Sequence, residues 1–383
     1  MVIREVIATP VSVPATRTCT WSFGRAYGAT RTIVQVFTAE GLVGLGETSG
    51  DKAAQIINER FAPKLEGVNP HEFETARWAC LQRHKDVGYL ADPASELAFS
   101  AVEMALWDII GKRVGLPLFR LLGGPVRERA PFGAYAYTVA LEEGFTESDV
   151  PKIMADIARK SIEDTNATLF EFKVGRHSVD CDIATVCAVR EAVGPNIDLA
   201  VDANMGFSID RARKFLAGVA GARLCNIEEP VPSLADCERL RLDFGVPVST
   251  HCTDIEKLRN FPNIDSAVGD VNVDGGIFHT VRLAAVMQSH HKRYWLRSNS
   301  ETGVSWAALC HLGMACLELD RPAQSLINWV EDDIVLGEPW FVRDGGVRPP
   351  EKAGLGIELD KDAFEHYSDR YRTQGALTRY HAK

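Results

Sequence analysis

The sequence of 383 residues predicts an α/β fold in which a smaller α+β domain is followed by a parallel β/α barrel. Two observations carry this prediction. From residue 129 onward, short apolar runs alternate with segments of helical periodicity, a pattern typical of parallel strands joined by helices. Six of these runs end in a polar residue, at successive intervals of 29, 26, 23, 19 and 27 residues, and each interval has room for one helix and one strand.

Residues 1–128 are predicted to form the α+β domain. The apolar runs 31–37 and 42–47 flank the sequence Thr-Ala-Glu-Gly, which indicates a β-hairpin. Residues 16–30 are rich in Arg, Trp, Tyr and Gly, and we interpret them as a mobile loop. Residues 71–122 have helical spacing, and the Leu-Leu-Gly-Gly-Pro breaker at their end sets the domain boundary.

Residues 129–350 are predicted to form the barrel. Its first strand is predicted at 132–138 and its eighth at 326–332. The predicted helices cover 149–164, 179–193, 209–219, 233–243, 254–260, 276–290 and 301–318. Residues 351–383 do not continue the alternation, and we predict that they return to the first domain.

Composition and charge exclude several classes of protein. The net charge of −10 speaks against a nucleic-acid partner, because phosphate backbones attract basic surfaces. No apolar run approaches the roughly 20 residues of a membrane span, and the first residues lack the apolar core of a signal peptide. Nine cysteines without a CxxC pair indicate reduced thiols. We therefore expect a cytoplasmic protein that binds neither nucleic acid nor membranes.

The polar residues at the strand ends are the candidates for chemistry, because a β/α barrel gathers these ends at one mouth. They are Lys173, Asp202, Glu228, His251, Asp270 and Arg297. Asp202 and Glu228 end consecutive strands and could share a divalent cation such as Mg²⁺, which prefers oxygen ligands. Each could instead cap the helix after its strand. His251 could supply a third ligand, better suited to Mn²⁺ or another transition metal, or could be a hydrogen-bonded pocket residue.

Lys173 is a candidate general base, because burial and a nearby dication both favour a neutral amine. The alternative is a structural ion pair of Lys173 with Glu171 or Asp202. Asp270 and Arg297 could form a pair of their own. Arg297 could instead bind a substrate carboxylate or hydroxyl through its planar fork of donors.

A second set of residues could contact a small carboxylate substrate. Its members are Arg17, Trp21, Arg25, Tyr27, Asn204 and Asn299. The first four lie in the predicted loop and could close over a polyhydroxy acid, and the alternative is an ordinary surface loop. Asn204 could instead cap the turn that follows Asp202.

Five motifs stand in the order and spacing of a known family. They are AVEMALWDIIGKRVGLPLFRLLGG (101–124), VDANMGF (201–207), NIEEPVP (226–232), GDVNVDGG (269–276) and AGLGIELD (353–360). On these motifs nearly the whole chain resembles the enolase superfamily, in its mandelate racemase/muconate lactonizing enzyme branch. The resemblance implies a modified (β/α)7β barrel of the TIM type with an α+β capping domain. It also implies Mg²⁺, removal of the proton α to a carboxylate, and a homo-oligomer.

Two shorter motifs are most similar to the glucarate dehydratase group of that branch: RSNSETGVS (297–305) and STHCTD (249–254). The similarity implies a site composed of Lys173 as the base, Asp202, Glu228 and His251 as metal ligands, and Asp270 as the aspartate of a His-Asp dyad.

Three positions depart from that group. Glu171 replaces the first lysine of a lysine pair, His251 replaces an asparagine, and Arg297 stands where the dyad histidine is expected. A one-base reaction through Lys173 remains: proton abstraction, then loss of a β-hydroxyl on the same face. The predicted function is a metal-dependent lyase that removes water from an acid sugar or related hydroxycarboxylate. The alternatives are a single-base cycloisomerase or epimerase, and a non-catalytic paralogue.

Overall fold

The computed structural model describes residues 1–81, 93–329, 332–337 and 341–380. The strands in these ranges are β1 (Ile3–Trp21), β2 (Gly24–Thr38), β3 (Val43–Ser49), β4 (Ala130–Pro131), β5 (Ala134–Ala136), β6 (Leu169–Lys173), β7 (Asp198–Asp202), β8 (Asn226–Glu228), β9 (Val248–Thr250), β10 (Ser266–Gly269), β11 (Arg293–Leu296), β12 (Gly346–Val347) and β13 (Thr378–Tyr380). The helices are α1 (Lys52–Ile56), α2 (Ala62–Leu65), α3 (Phe73–Leu81), α4 (Pro93–Val114), α5 (Leu118–Leu121), α6 (Val150–Thr165), α7 (Val179–Val193), α8 (Ile209–Gly218), α9 (Leu234–Phe244), α10 (Ile255–Leu258), α11 (Ile277–Ser289), α12 (Gly303–Ala315) and α13 (Lys361–Gln374).

β1 and β2 form one long antiparallel hairpin that turns between Trp21 and Gly24. The prediction of a mobile loop over residues 16–30 is therefore wrong, because this segment is the far end of the hairpin. After an irregularity near its middle, the register resumes with Cys19 opposite Ala26. Composition misled the prediction because several small and polar residues of this segment line a cavity instead of filling a core.

β3 pairs with β2 and packs against α4, the long helix of the N-terminal domain. Gly46 permits this close contact, since a Cβ at that position would lie 1.9 Å from the carbonyl oxygen of Ala101 in α4. The helical pattern predicted over 71–122 is divided among α3, α4 and α5. Residues 82–92 of that prediction lie outside the described residues.

Strands β5 to β11 form a parallel sheet in chain order, and this order confirms the β/α alternation. The segment 319–324 bridges the two edges of the sheet. It forms parallel bridges from Leu319 to Tyr294 of β11 and from Ala323 to Phe132, just before β5. The barrel architecture predicted from the sequence is therefore present.

The eighth strand is not where the sequence predicts it. The prediction at 326–332 is wrong, because the eighth place is filled by 319–324 while Ile327–Trp329 forms a 3₁₀ turn. Residues 330–331 lie outside the described residues. The segment 319–324 was not predicted as a strand because it contains Pro322. A proline has no backbone N–H to donate to a neighbouring strand, which argues against a central strand.

The barrel helices confirm the predicted set with small shifts at their ends. The largest differences are at α10, which is shorter than the predicted 254–260, and at α12, which is shorter than 301–318. Among the described residues, no helix has both the length and the apolar composition that crossing a membrane requires.

α4 joins the N-terminal domain to the barrel through Glu103. The Glu103 carboxylate accepts the backbone N–H groups of Ile277 (2.7 Å) and Phe278 (2.9 Å), the first residues of α11. Gly276 precedes them with a φ of 110°, and a Cβ there would lie 2.4 Å from Glu103 Oε2. A buried carboxylate thus satisfies the free N–H groups of a barrel helix from another layer.

The C-terminal residues contact the N-terminal sheet. α13 packs against β1, and β13 pairs antiparallel with β2. The domain limits 1–128, 129–350 and 351–383 stay predictions.

Candidate active site

Three of the six strand-end residues lie side by side in the sheet. Lys173 ends β6, Asp202 ends β7 and Glu228 ends β8, and the register pairs Lys173 with Asp202 and Asp202 with Glu228. The Lys173 ammonium donates to Asp202 Oδ2. The ion pair with Asp202 that the sequence allows for Lys173 is therefore formed, and it lies at the barrel mouth.

The other three residues follow the next strands. His251 follows β9, Asp270 follows β10 and Arg297 follows β11. Arg297 Nε donates to Asp270 Oδ2 at 3.2 Å, and its Nη1 lies 3.3 Å from His251 Nε2. Asn299 Nδ2 donates to the same Asp270 oxygen at 3.3 Å. Arg297 thus pairs with Asp270 while its outer nitrogen reaches toward the carboxylate cluster.

A cavity of about 500 Å³ lies between the barrel mouth and the β1–β2 hairpin. Lys173 and Arg297 line it from the barrel, while Trp21 and Arg31 line it from the hairpin. Tyr137, which follows β5, completes an aromatic wall, with its ring 6.2 Å from that of Trp21. The volume is that of a site for a small organic molecule.

Asp202, Glu228 and His251 offer ligand atoms that all lie within 4.8 Å of one another. Glu228 Oε1 is buried without a hydrogen-bond partner among the described residues, and it lies 3.1 Å from His251 Nε2. Two carboxylates and an imidazole are a mixed oxygen–nitrogen set, which suits Mn²⁺ or another transition metal as well as Mg²⁺. These three residues therefore fit a divalent cation.

The charges of this cluster are strongly coupled. Burial raises the pKa of Glu228, and the nearby Asp202 carboxylate raises it further. Burial also acts to raise the pKa of Asp202, but the Lys173 ammonium, His251 and the hydrogen bonds to Asp202 together make the net shift downward. Two buried carboxylates at this separation require positive charge beside them.

His251 faces charges of both signs. Burial and then the Arg297 guanidinium act to lower the pKa of His251, but the Glu228 and Glu229 carboxylates act against them and the net shift is upward. A proton on Nε2 and a cation bound at Nε2 exclude each other, because both use the same lone pair.

Comparison with known proteins gives the family. Residues 3–123 match the family described as mandelate racemase / muconate lactonizing enzyme, N-terminal domain, and residues 153–363 match the enolase C-terminal domain-like family. The chain belongs to the mandelate racemase/muconate lactonizing enzyme branch of the enolase superfamily. The resemblance found in the sequence motifs is thereby confirmed.

Relatives and solved structures cover almost the whole chain. A probable glucarate dehydratase of Streptomyces coelicolor is 30% identical over 88% of this chain and 84% of its own length. Muconate cycloisomerase 1-1 of Acinetobacter lwoffii is 28% identical over 96% of both chains. Among solved structures, an enolase from Streptomyces coelicolor superimposes with a TM-score of 0.89 at 30% identity, covering 98% of this chain and 99% of that one. An enolase from Thermobispora bispora, crystallised with magnesium and formate, gives 0.89 at 26% identity, with 99% and 95% covered.

The predicted substrate-binding residues divide into two groups. Trp21, Asn204 and Asn299 line the cavity of this enolase-superfamily chain. The other predicted contacts, Arg17, Arg25 and Tyr27, are not among its lining residues.

Side chains of a strand alternate between its faces, so Ala26 and Gly28 face the cavity while Arg25 and Tyr27 face away from it. Arg17 instead lies 5.2 Å from the ring of Trp329, beside a second cavity of about 230 Å³. The substrate-binding role of all these residues stays a prediction.

Two residues of the site have no role in the sequence prediction. Arg31 lies in an apolar strand of the hairpin. A cation inside an apolar run is unusual, so the sequence alone could have indicated a functional or structural role for it. Gln324 lies beside the candidate metal ligands, with its Nε2 3.2 Å from Glu228 Oε2. Gln324 could not be found from the sequence, because the strand pattern around it was not recognised.

Proposed function

We propose that this protein is a metal-dependent lyase that removes the proton α to a carboxylate and eliminates water from a hydroxycarboxylate, such as an acid sugar. One observation carries the proposal: the register places a lysine and two carboxylates side by side at the mouth of the barrel, facing a cavity of small-molecule size. The family membership supports it, since its relatives include a probable glucarate dehydratase and a D-xylonate dehydratase.

Asp202, Glu228 and His251 would hold the cation. When bound, a divalent cation supplies Lewis-acid stabilisation of the negative charge that develops on the substrate carboxylate. The protein's contribution is to fix these ligand atoms beside Lys173, so that the base and the cation would act on the same substrate.

Lys173 would act as the base once its ammonium has lost a proton. In an α,β-dihydroxy acid, neutral Lys173 Nζ takes the α-proton, and the carbon–oxygen bond at the β-position breaks. The ammonium then returns a proton to the departing hydroxyl, so water leaves and the enol product becomes a 2-keto acid. One side chain thus serves both proton transfers on one face of the substrate.

Arg297 would hold the polar end of the substrate away from the base. Its guanidinium is fixed by Asp270 and keeps its proton in proteins, so it binds anions or hydroxyls but does not abstract protons.

Cycloisomerisation is a second candidate. The alignment with muconate cycloisomerase 1-1 spans 96% of both chains, and a single base would serve this reaction as well. The products separate the two candidates, because a dehydratase releases water and a cycloisomerase yields an isomer of its substrate.

The test is a screen of hydroxy acids and acid sugars with the purified protein in Mg²⁺ and in Mn²⁺. We expect a 2-keto product, detected by mass as the loss of water. We also expect either cation to raise the melting temperature, because a ligand at 100 times its Kd adds about 2.7 kcal/mol to the free energy of unfolding. No turnover together with no thermal shift would overturn the proposal.

A further inference from the structure

A chain of buried polar side chains lies behind the candidate metal ligands, in the barrel interior. We propose that Gln324 is a positioning residue: it holds Glu228 so that one carboxylate oxygen is free for a cation, and Glu171 holds Gln324 in turn. This inference rests on the cation site of the proposed function.

Gln324 is buried, and its side-chain amide bridges two carboxylates. Its Nε2 donates to Glu171 Oε1 at 2.6 Å and to Glu228 Oε2 at 3.2 Å. When both acids are ionised, the reversed amide would direct its carbonyl oxygen at two acceptors, so ionised neighbours favour this orientation. The backbone N–H of Gln324 donates to the carbonyl of Leu296 at 3.0 Å, which anchors the residue to β11.

The two oxygens of Glu228 therefore have different tasks. Oε2 accepts from Gln324, whereas Oε1 is buried, has no hydrogen bond of good geometry among the described residues, and lies 3.1 Å from His251 Nε2 in the cluster with Asp202. The hydrogen bond to one oxygen restrains rotation of the carboxylate away from the cation position. Hydrogen bonds to metal ligands from surrounding residues commonly set their orientation in this way.

Glu171 is fixed from the other side. Its Oε2 lies 3.5 Å from Nη2 of Arg321, and the Arg321 guanidinium stacks over the ring of Trp295 at 4.2 Å. The glutamate is almost fully buried, and Arg321 supplies a positive charge beside it. Glu171, whose presence in place of a lysine the family resemblance left without a role, thus supplies the acceptor that Gln324 needs.

Gln324 also separates two buried acids. Its neutral donor between Glu171 and Glu228 satisfies one oxygen of each. Without it, both oxygens would be buried with no donor, a costly arrangement.

The decisive experiment measures Mn²⁺ binding to the full-length protein by calorimetric titration. Gln324→Met keeps the shape of the side chain but removes both donors, and we expect its Mn²⁺ affinity to fall about 10- to 100-fold. Glu171→Gln keeps an acceptor for Gln324 and should bind Mn²⁺ nearly as the wild type does.

Asn226→Leu is the matched control. Asn226 is another buried amide on β8, and its Nδ2 donates to Ser249 Oγ at 2.8 Å. Loss of this amide should leave Mn²⁺ affinity within about twofold of the wild type, because this hydrogen bond does not involve Glu228. Should Gln324→Met fail to fold, Gln324→Asn is measured instead, since it keeps the amide but withdraws it from Glu228 by one methylene.

The outcomes separate this inference from the proposed function. Wild-type affinity in the Gln324 variant, or an equal loss in Asn226→Leu, overturns the positioning role and leaves the cation site standing. A wild-type protein that binds no Mn²⁺ overturns both.

Discussion

Lys173 and Arg297 approach the cavity from β6 and from the end of β11, and they differ in what they can do with a proton. The Arg297 guanidinium is paired with Asp270 and stays charged, while a lysine amine can lose and regain its proton. Burial acts to raise the pKa of Asp270, but Arg297 and then Arg31 outweigh it, so the pKa is lowered and the partner of Arg297 stays ionised. Of these two cations, Lys173 is therefore the one that we propose for proton transfer.

Replacing Lys173 by methionine should abolish proton exchange at the substrate α-carbon. We expect the exchange rate in D₂O, followed by NMR on a substrate found in the screen, to fall at least 10²-fold, which is about what a positioned base contributes. Methionine keeps most of the apolar stem, and circular dichroism would check the fold. The control is Lys160→Met, since Lys160 is exposed and pairs only with Asp164 among the described residues. Exchange that survives in the Lys173 variant would remove this lysine as the base.

The sequence predicted those residues of the site that end an apolar run. Lys173, Asp202 and Glu228 each close a strand, so the period of the barrel alone brings them to one edge. Arg31 was missed although it is a cation inside an apolar strand, whereas Gln324 was not found because it acts through tertiary contacts to residues far away in the chain. Such contacts leave no periodic signal in a single sequence.

Strands β2 and β3 hold a buried ion pair whose two residues also form hydrogen bonds to loops of the barrel. Arg31 Nε donates to Glu47 Oε1 at 2.5 Å, and its two outer nitrogens donate to Asn299 O (3.0 Å) and Asn272 Oδ1 (2.9 Å). These two asparagines lie in the loops after β11 and β10, the loops that also hold Arg297 and Asp270.

Glu47 contacts the barrel as well. It accepts the backbone N–H groups of Thr302 (2.9 Å) and Ser305 (2.7 Å) at the start of α12, where a carboxylate is favoured by the helix dipole. Two strands of one layer thus fix the loops of the other, and with them one side of the cavity.

Breaking this ion pair from one side should destabilise the protein strongly. Arg31→Met leaves Glu47 buried without its cation, and we expect a loss of about 3–5 kcal/mol in the free energy of unfolding, measured with urea. The double variant Arg31→Met/Glu47→Gln should lose less than the sum of the single losses, because the two residues interact directly.

The control for the Arg31 and Glu47 variants is an ion pair on the surface. Arg129 and Asp344 lie 3.5 Å apart with largely exposed side chains, and Arg129→Met should cost less than about 1 kcal/mol. Equal losses for Arg31→Met and Arg129→Met would show that the buried pair does not hold the two layers together.

Helices and strands were predicted correctly where the period of apolar residues in the sequence matches the face that is buried in the structure. Most of the barrel helices bury one apolar face, while α12 is buried on nearly all sides, and all were predicted close to their bounds. The far half of the β1–β2 hairpin was missed because its small side chains serve the cavity, and the segment 319–324 was missed because of Pro322. The hairpin residues line the cavity and the segment 319–324 closes the sheet, and neither role requires a regular alternation of apolar and polar residues.

Across the whole molecule, His311 joins three regions that are distant in the chain. It lies on α12 and is fully buried. Its Nδ1 accepts the backbone N–H of Phe119 in α5 at 3.2 Å, and its Nε2 donates to the carbonyl of Leu355 at 3.1 Å. The ring stacks on that of Phe119 at 5.6 Å. The neutral tautomer with a proton on Nε2 satisfies both partners, whereas a second proton on Nδ1 would face the Phe119 N–H.

The junction at His311 should make the stability of the protein depend on pH. Burial lowers the pKa of His311 from 6.5 to about 4. Above pH 6.5 the folded and unfolded states are both neutral at this residue, so its stabilising contribution is complete. As the pH falls from 6.5 to 4, His311 becomes protonated in the unfolded state but stays largely neutral in the folded state. The free energy of unfolding should therefore drop by about 3 kcal/mol.

Urea unfolding between pH 7 and pH 4 checks this contribution. His311→Gln should lower stability at pH 7 yet show a flatter dependence on pH than the wild type, because it removes the titrating group. His290→Gln is the control, since His290 is exposed, and its dependence on pH should match that of the wild type. If the slopes of the His311 variant and the wild type coincided, the acid sensitivity would have to come from the buried carboxylates. Because the three chain segments meet at this one ring, loss of stability on its protonation should release α5 and the residues around Leu355 together. Protection factors for amide hydrogen exchange at Phe119 and Leu355, which correct for the change of the intrinsic rate with pH, should then fall in parallel as the pH is lowered.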